Sequence, residues 1–217
     1  MMLQARETLL LNFKVMGNLR YLSHRETMSM FERAIVRSQI DLYFTQGFNP
    51  HPKISLPLPR SVGTASDDEM LCVELFGSSE SARVIRQKLS KQLPEGCEIT
   101  GAGVVSGRIS PKAVKVEYLF FLSAQNNVDE NIKKIKIKIA AHEQLLVDRI
   151  DKKGVARKID VAPYIDSVEY DGSELSIWCV VTGGGTVRIE ELFGIFQIDK
   201  SVLLSPVKRK QVLWEMN

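Results

Sequence analysis

Hydrophobic and polar residues in the first half of the chain alternate between the period of a strand and the period of a helix. Met28, Phe31 and Ile35 recur at helical spacing, which predicts a helix with one buried face. Apolar or alternating runs predict strands in three segments: residues 8–15 (TLLLNFKV), 69–76 (EMLCVELF) and 97–105 (CEITGAGVV). The first half therefore predicts a sheet of short strands with helices between them.

Local signals mark where the helices begin and where one strand should lie. Ser23 and Glu26 have the spacing of a capping box, which begins the first helix. Residues 41–46 (DLYFTQ) predict a second strand, and the prolines that follow in KISLPLP place it at a sheet edge because proline cannot donate to a ladder. A second helix is expected over about residues 80–93. The resulting order, βαββαβ, is that of a ferredoxin-like unit.

The second half repeats this pattern after a linker at residues 108–113 (RISPKA). Residues 129–143 fit a helix, although KIKIKIA within them also alternates like a strand. Strands are expected at VEYLFFLS, QLLVDRI, RKIDV and ELSIWCVV, a helix at TVRIEELFGIF and a basic strand through Val212. We therefore predict an α+β protein with two tandem ferredoxin-like (βαββαβ) units, residues 1–107 and 114–217, of which the second is irregular.

Composition narrows the class of protein. The chain shows neither a secretory signal pattern nor an apolar run long enough to span a bilayer, so we expect a cytoplasmic protein without membrane contact. Cys72, Cys97 and Cys179 are far apart and form no metal-binding pair, so buried reduced thiols are expected and no metal site is predicted. The net charge is +3, but residues 1–60 hold 8 Lys and Arg against 4 Asp and Glu. The basic excess therefore lies in the first half.

Two histidines are the candidates for acid–base chemistry. His24 follows the helix cap and His51 lies in a turn, and an unperturbed imidazole titrates near neutrality. Neither is accompanied by a nucleophile elbow, a Walker loop or a metal-binding pair, and a capping or packing role is the commoner one for such residues. The glycines at 183–185 are better explained as a turn between strand and helix than as a phosphate loop.

The segment GFNPHPKIS, residues 47–55, has two interpretations. As a rigid turn, Gly47 supplies a positive φ and Asn49 initiates the turn, while two prolines stiffen it. As an RNA-binding or ligand-binding loop, Phe48 stacks on a base, Lys53 meets phosphate and His51 does either. The sequence alone leaves both open.

Basic residues form further candidate surfaces. Those near the first helix are either a solvated face or a phosphate-binding strip, and they include Arg20, Arg25, Arg33 and Arg37. A second basic cluster comprises Lys153, Arg157 and Lys158.

Several motifs resemble a known family. They are F-K-x-x-G-x-L-R-Y-L-S-H at 13–24, M-x-x-x-x-R-A at 28–34, GFNPHPKIS, Gly63, Glu69 and K-G-x-x-R-K-I-D at 153–160. Together they are similar to the radical SAM-linked protein family, a domain of unknown function. Members of that family typically have L-S-H-L-D where this chain has L-S-H-R-E, so Arg25 replaces an apolar residue.

The resemblance implies a partner protein. Such domains are encoded beside, or fused to, a radical SAM enzyme with a cobalamin-type domain, often near genes related to ribosomes or RNA processing. The iron–sulfur cluster and S-adenosylmethionine are then expected only in the partner, since this chain lacks a CxxxCxxC run. The leading hypothesis is an accessory module that binds structured RNA, docks to the enzyme, or does both. The residues predicted to form its binding surface are Arg20, His24, Arg33, Arg37, Phe48, Asn49, His51 and Lys53. The alternatives are a histidine-dependent RNA-processing or RNA-modifying enzyme and a protein-docking module without nucleic acid. The oligomeric state is left open.

Overall fold

A computed structural model describes residues 6–76, 80–123, 126–150 and 154–216. These residues form helices and β-sheets, so the prediction of an α+β protein is confirmed. They divide into two compact units that part at Ala113 and Val114. Residues from Trp214 onward group with the first unit, whereas the sequence assigned them to the second. Within the described residues, no helix is both long and apolar enough to cross a bilayer.

The first unit has the order β-α-β-β-α-β that the hydrophobic pattern predicts. Its elements are β1 (Arg6–Val15), α1 (His24–Ser38), β2 (Ile54–Ser55), β3 (Ala65–Phe76), α2 (Ala82–Ser90) and β4 (Cys97–Ser106). The strands run in the order β4-β1-β3, antiparallel at both junctions, and β2 pairs with β3. The more specific classification of the unit as ferredoxin-like stays a prediction.

The core of the first unit lies where alternate side chains of β1 meet the helices. Leu11 and Phe13 are fully buried, and the Phe13 ring meets the ring of Phe31 on α1 edge-on at a centroid distance of 4.7 Å. Phe31 and Ile35 are buried as predicted, but Met28 is only half-buried. The buried face of α1 is therefore slightly rotated from the predicted one.

The predicted strand at residues 41–46 is wrong. Leu42 forms only an isolated bridge to Leu75 of β3, and Phe44 bridges to Pro52 of its own segment. The chain folds back on itself at this point, and Pro50 and Pro52 have no N–H to donate to a ladder. Regular pairing with β3 is thereby confined to the two residues of β2. Residues 43–53 form a local hairpin, which we call the 43–53 hairpin.

The second unit contains six strands and two helices among the described residues. They are β5 (Lys112–Phe121), α3 (Asn126–Ala140), β6 (Leu146–Ile150), β7 (Ala156–Asp160), β8 (Ile165–Tyr170), β9 (Glu174–Val180), α4 (Ile189–Phe196) and β10 (Lys208–Glu215). Four of these strands run in the order β10-β5-β9-β8, and β6 and β7 form a separate two-stranded sheet. The ambiguous KIKIKIA segment is helical, within α3. Strand β8 was not predicted.

Two smaller predictions are confirmed. The glycines at 183–185 form a turn, closed by hydrogen bonds of 2.9 and 3.0 Å between the backbones of Thr182 and Gly185. Cys72, Cys97 and Cys179 are buried free thiols. Burial raises the pKa of all three thiols, for Cys72 to about 11, so none is a ready nucleophile near neutral pH.

Candidate nucleic-acid interface

Backbone hydrogen bonds hold the two arms of the 43–53 hairpin together. The Lys53 N–H donates to the Tyr43 carbonyl at 2.8 Å, and the Thr45 N–H donates to the His51 carbonyl at 2.8 Å. The Thr45 hydroxyl also accepts the His51 N–H at 2.9 Å. At the base of the hairpin, the Tyr43 N–H donates to the Glu74 carbonyl of β3 at 3.0 Å. The arms are therefore anchored, and the tip between them is presented by a fixed frame.

The tip of the 43–53 hairpin carries an exposed aromatic ring. Gly47 has a φ of +136°, as the sequence predicts, and this backbone conformation strongly favours glycine. The next residue, Phe48, has a relative accessibility of 107%, and Asn49 and His51 are also exposed. A completely exposed phenylalanine beside polar residues contributes nothing to the core, so its ring is free to contact a ligand.

Two cations surround the ring of Tyr43 at the base of the hairpin. The Arg6 guanidinium carbon lies 5.3 Å from the ring centroid, and the Lys53 ammonium lies 5.8 Å from it. The ring of Phe76 meets Tyr43 edge-on at 5.0 Å. These distances are within the range of cation–π attraction, so the ring helps to place both charges.

A surface groove of about 320 Å³ opens along the arms of the hairpin. Its charged side chains are Lys53, Glu74 and Arg108. The Lys53 ammonium lies 3.8 Å from one carboxylate oxygen of Glu74, and the Arg108 Nε lies 3.4 Å from the other. Two positive charges thus face one negative charge, and the Arg108 side chain is 74% exposed. Hydroxyl side chains of Thr8, Thr45, Ser55 and Ser110 also line the groove.

The groove has the chemistry of a site for a phosphate-bearing ligand. Its size is at the lower end of the range for small-molecule sites. The hydroxyls of Thr45, Ser55 and Ser110 are neutral hydrogen-bonding groups, and two cations stand against the single carboxylate of Glu74. The sequence predicts that Lys53 contacts phosphate. In the structure, Lys53 belongs to the hairpin and lines the groove.

His24 lies at the start of α1, in a different cleft. The predicted capping box is confirmed: the Ser23 N–H donates to Glu26 Oε2 at 2.8 Å and the Glu26 N–H donates to the Ser23 hydroxyl at 3.3 Å. Hydrogen bonds from the Ser23 hydroxyl and N–H hold the pKa of Glu26 below its ordinary value. His24 itself is exposed and borders a cleft with the buried Glu69 and with Arg60.

The cleft beside His24 is too small for a substrate. Its free volume is about 10 Å³, which is room for a single water molecule. The cleft that His24 borders thus gives a nucleobase no room beside the imidazole.

Arg60 is a residue that the sequence reasoning missed. Its Nη1 donates to the carbonyls of Arg20 at 2.8 Å and Thr64 at 2.5 Å, and its Nη2 donates to those of Leu19 at 3.2 Å and Leu22 at 3.3 Å. Three of these carbonyls belong to the L-R-Y-L-S-H motif, so this motif wraps its backbone around the guanidinium. An arginine after a proline-rich run was the only signal in the sequence.

The arginines predicted as a phosphate strip have separate environments. Arg20 donates to the Gly17 carbonyl and to the Tyr21 hydroxyl, both at 2.7 Å, so it folds back on its own turn. Arg37 donates to the backbone carbonyl of Gln92 at 2.8 Å and to its side chain at 3.2 Å. Arg33 is exposed, with no hydrogen bond or ion pair to the described part of the chain. The hydrogen-bond partners of Arg20 and Arg37 thus lie outside the 43–53 hairpin.

The second basic cluster belongs to the second unit. Arg157 and Lys158 are exposed on β7, and Lys153 lies outside the described residues. Across the β6–β7 pair, Arg157 is the register partner of Arg149. Arg149 is half-buried and forms a two-pronged ion pair with Glu191, at 2.7 and 2.8 Å. Of the cations on this strand pair, Arg157 and Lys158 on β7 are thus the ones exposed to solvent.

No group of three or more His, Cys, Asp or Glu side chains is placed to hold a metal ion within the residues that the structure describes.

Comparison with known proteins gives one family match and weak structural likeness. A family model described as "Uncharacterized protein conserved in bacteria (DUF2344)" matches residues 8–190. Among solved structures, a chain of the "Crystal Structure of a Cbf5-Nop10-Gar1 Complex" matches with a TM-score of 0.44 and 11% identity. That match covers 94% of this chain and 48% of the solved chain, so this chain spans about half of its length. At that TM-score the likeness says nothing about what this chain binds or does. No curated protein matches the chain.

Proposed function

We propose that this chain, which belongs to the bacterial family DUF2344, is an accessory module that binds RNA. The 43–53 hairpin and its groove form the contact. An unpaired base stacks on Phe48, and the neighbouring phosphate lies in the groove beside Lys53 and Arg108. The chemistry on the RNA belongs to a separate enzyme.

The observation that carries the proposal is the exposure of Phe48 on an anchored frame. Recognition of unpaired RNA depends on aromatic rings that are free to stack, and each stacked base contributes about 1–3 kcal/mol. The ring of Phe48 is completely exposed, and hydrogen-bonded arms present it. Asn49 and His51 flank it with side chains that bond to base edges.

The charges near the hairpin support the same function. Arg6 and Lys53 lie against Tyr43, and Arg108 extends into solvent from the groove. A phosphate entering the groove exchanges its hydration for these cations and competes with Glu74 for them. Since the phosphate contact is electrostatic, affinity should fall as the salt concentration rises.

The experiment is a binding titration of a fluorescent single-stranded RNA oligonucleotide with the purified chain and two variants of Phe48. Loss of one stacked base in Phe48→Ala should weaken binding about 5- to 160-fold. Phe48→Leu keeps the apolar bulk and removes the ring, so it should weaken RNA binding nearly as much. The matched control is Val62→Ala, because Val62 is an exposed apolar residue elsewhere in this unit.

Each outcome has a distinct meaning. If Phe48→Leu binds RNA as tightly as the native chain, base stacking on the ring is wrong. If no RNA is bound while a protein captured from cells depends on Phe48 and tolerates leucine, the hairpin is an apolar protein-docking element. Binding that ignores ionic strength would count against the groove as a phosphate site.

The proposed partner is a radical SAM enzyme, and the motif similarity around L-R-Y-L-S-H and GFNPHPKIS supports it. The partner would supply the iron–sulfur cluster and S-adenosylmethionine, and both proteins would meet in the cytoplasm. Crosslinking in bacterial cells, followed by mass spectrometry, should recover an enzyme with a CxxxCxxC run. Recovery of RNA without any such enzyme would remove this part of the proposal and leave RNA binding intact.

The ferredoxin-like classification of the first unit is also part of the proposal. Its element order and the β4-β1-β3 strand order, with β2 on β3, support it. An experimental structure would test it directly.

A further inference from the structure

Helix α2 carries a basic face that neither the charge count nor the motifs indicated. A surface groove of about 580 Å³ is lined by Arg83, Arg86, Gln87, Ser90 and Lys91. These residues have the spacing i, i+3, i+4, i+7 and i+8, so they share one side of the helix. We call them the α2 strip. It consists of three cations and two neutral polar side chains.

The charges of the α2 strip are not neutralised. Residues 82–91 contain no Asp or Glu. Among the described residues, no ion pair involves Arg83, Arg86 or Lys91. Arg86 donates to the neutral backbone carbonyl of Ile99 at 2.8 Å, which fixes its guanidinium without cancelling the charge. Lys88, the remaining cation of α2, instead pairs with Glu80. The helix and its C-cap residue Lys91 thus carry one neutralised cation and three that are not.

Helix α1 extends this surface. Arg37 donates to Gln92, the residue that follows Lys91, and its acceptors there are neutral. Arg33 lies one turn before Arg37 on α1 and is exposed. The hydrogen bonds between Arg37 and Gln92 therefore join the exposed basic side of α1 to the C-terminal end of the α2 strip.

Neither the stability of the helix nor the solubility of the protein explains the positive charge of the α2 strip. Arg83 lies in the first turn of α2, where the helix dipole disfavours a positive charge and an acidic residue is preferred. Three like charges on one face also repel one another. A surface selected only for solubility would intersperse both signs. An anionic partner removes both penalties.

We propose that the α2 strip binds the phosphate backbone of RNA, in addition to the 43–53 hairpin. This inference rests on the proposed function and names a second contact. The hairpin recognises an unpaired base, whereas the strip contacts phosphates and adds affinity without sequence preference. A polyanion fits better than a folded protein because the groove is lined by side chains that are all polar or charged.

The test uses the full-length chain and a synthetic RNA stem-loop, with the binding constant measured over a series of KCl concentrations. The double variant Arg83→Gln, Lys91→Gln removes two cations. If both contact phosphate, the slope of log K against log salt should decrease in magnitude by about 1.5. Lys88→Gln is the matched control, because it removes a cation from the same helix that Glu80 already neutralises. Its slope should equal that of the native chain. Circular dichroism confirms that the variants are folded.

The outcomes separate this inference from the proposed function. If the double variant has the native slope and affinity, the α2 strip does not bind phosphate, whatever the result for Phe48→Ala. If the double variant loses slope while Phe48→Ala binds normally, the strip stands and the hairpin contact fails. If no form of the chain binds the stem-loop, both the proposed function and the phosphate contact of the α2 strip are refuted.

Discussion

Replacement of Arg60 should destabilise the first unit more than replacement of any exposed arginine. The guanidinium donates to four backbone carbonyls, two at 2.8 Å or less and two at 3.2 Å or more. The variant Arg60→Met keeps most of the side-chain volume and removes all four hydrogen bonds. The segment from Leu19 to Leu22 then loses its main link to Thr64.

The size of the effect follows from the carbonyls that are left without a donor. The Arg20 carbonyl also accepts the Gly63 N–H at 2.8 Å, and the Leu19 carbonyl accepts the Leu22 N–H at 3.1 Å, so both keep a partner. Among the described residues, the carbonyls of Thr64 and Leu22 have no such second donor. A buried acceptor without a partner costs about 1–3 kcal/mol. Thr64 is buried, whereas Leu22 is half-buried and its carbonyl partly rehydrates, so we expect a loss of about 2–3 kcal/mol in the free energy of unfolding.

Differential scanning calorimetry measures this loss. For a chain of this size, 2–3 kcal/mol corresponds to a decrease in Tm of about 4–12 °C. Arg33→Met serves as the control, since Arg33 is exposed with no partner among the described residues, and should change the free energy by less than about 0.5 kcal/mol. Equal Tm values for Arg60→Met and Arg33→Met would refute the assignment of a structural role to Arg60.

Three further predictions concern other sites. Burial raises the pKa of Glu191, but the hydrogen bonds from Arg149 and from the Arg188 N–H, together with the charges of both arginines, outweigh burial and hold this pKa below the ordinary value of 4.5. The ion pair should therefore stabilise the protein above that pH and lose its effect as the pH falls through the lowered pKa. Glu191→Gln should cost about 2–4 kcal/mol in urea unfolding at neutral pH, and a difference that persists unchanged in strong acid would contradict the pairing. Gly96→Ala should cost about 2–4 kcal/mol, because φ is +91° and the new Cβ would lie 2.7 Å from a backbone carbonyl. Gly103→Ala, where the Cβ meets nothing within 4 Å, should cost less than about 1 kcal/mol, and equal losses would be inconsistent with strain. Burial raises the pKa of Cys97 to about 12, so a thiol reagent at mildly alkaline pH should label it only after unfolding. Labelling of the native chain at the rate of a free thiol would show that Cys97 is accessible.

Most of the fold follows from hydrophobic periodicity, because the buried faces of strands and helices require apolar residues at fixed intervals. The capping box at Ser23 was equally legible, since its two hydrogen bonds depend on residues three apart. The failures occurred where pairing depends on distant residues. Residues 41–46 have a strand-like pattern, yet they close a local hairpin, and β8 (IDSVEY) has only two buried positions, Ile165 and Val168. The strand with which each segment pairs cannot be predicted from the spacing of its own apolar residues.

The candidate site was predictable only in part, for a different physical reason. The exposure of Phe48 and the turn at Gly47 follow from the chemistry of GFNPHP itself. The fate of each cation does not, because it depends on which acceptors the folded backbone brings near. Arg60 and Arg20 appear in the sequence as two more positive charges of a basic segment, yet both donate to backbone carbonyls in the fold.

The same reasoning explains why a count of charges did not indicate the α2 strip. Residues 1–60 hold the excess of Lys and Arg, but Arg60 donates hydrogen bonds to four backbone carbonyls and Arg37 donates to Gln92. Residues 61–110 hold 5 Lys and Arg against 7 Asp and Glu, and they nevertheless present the α2 strip. On a helix, charges three and four residues apart share a face, so the net charge of a segment is a poor guide to the field at its surface. The position of each cation on its helix, and the acceptor that it meets, decide whether it is available to a phosphate.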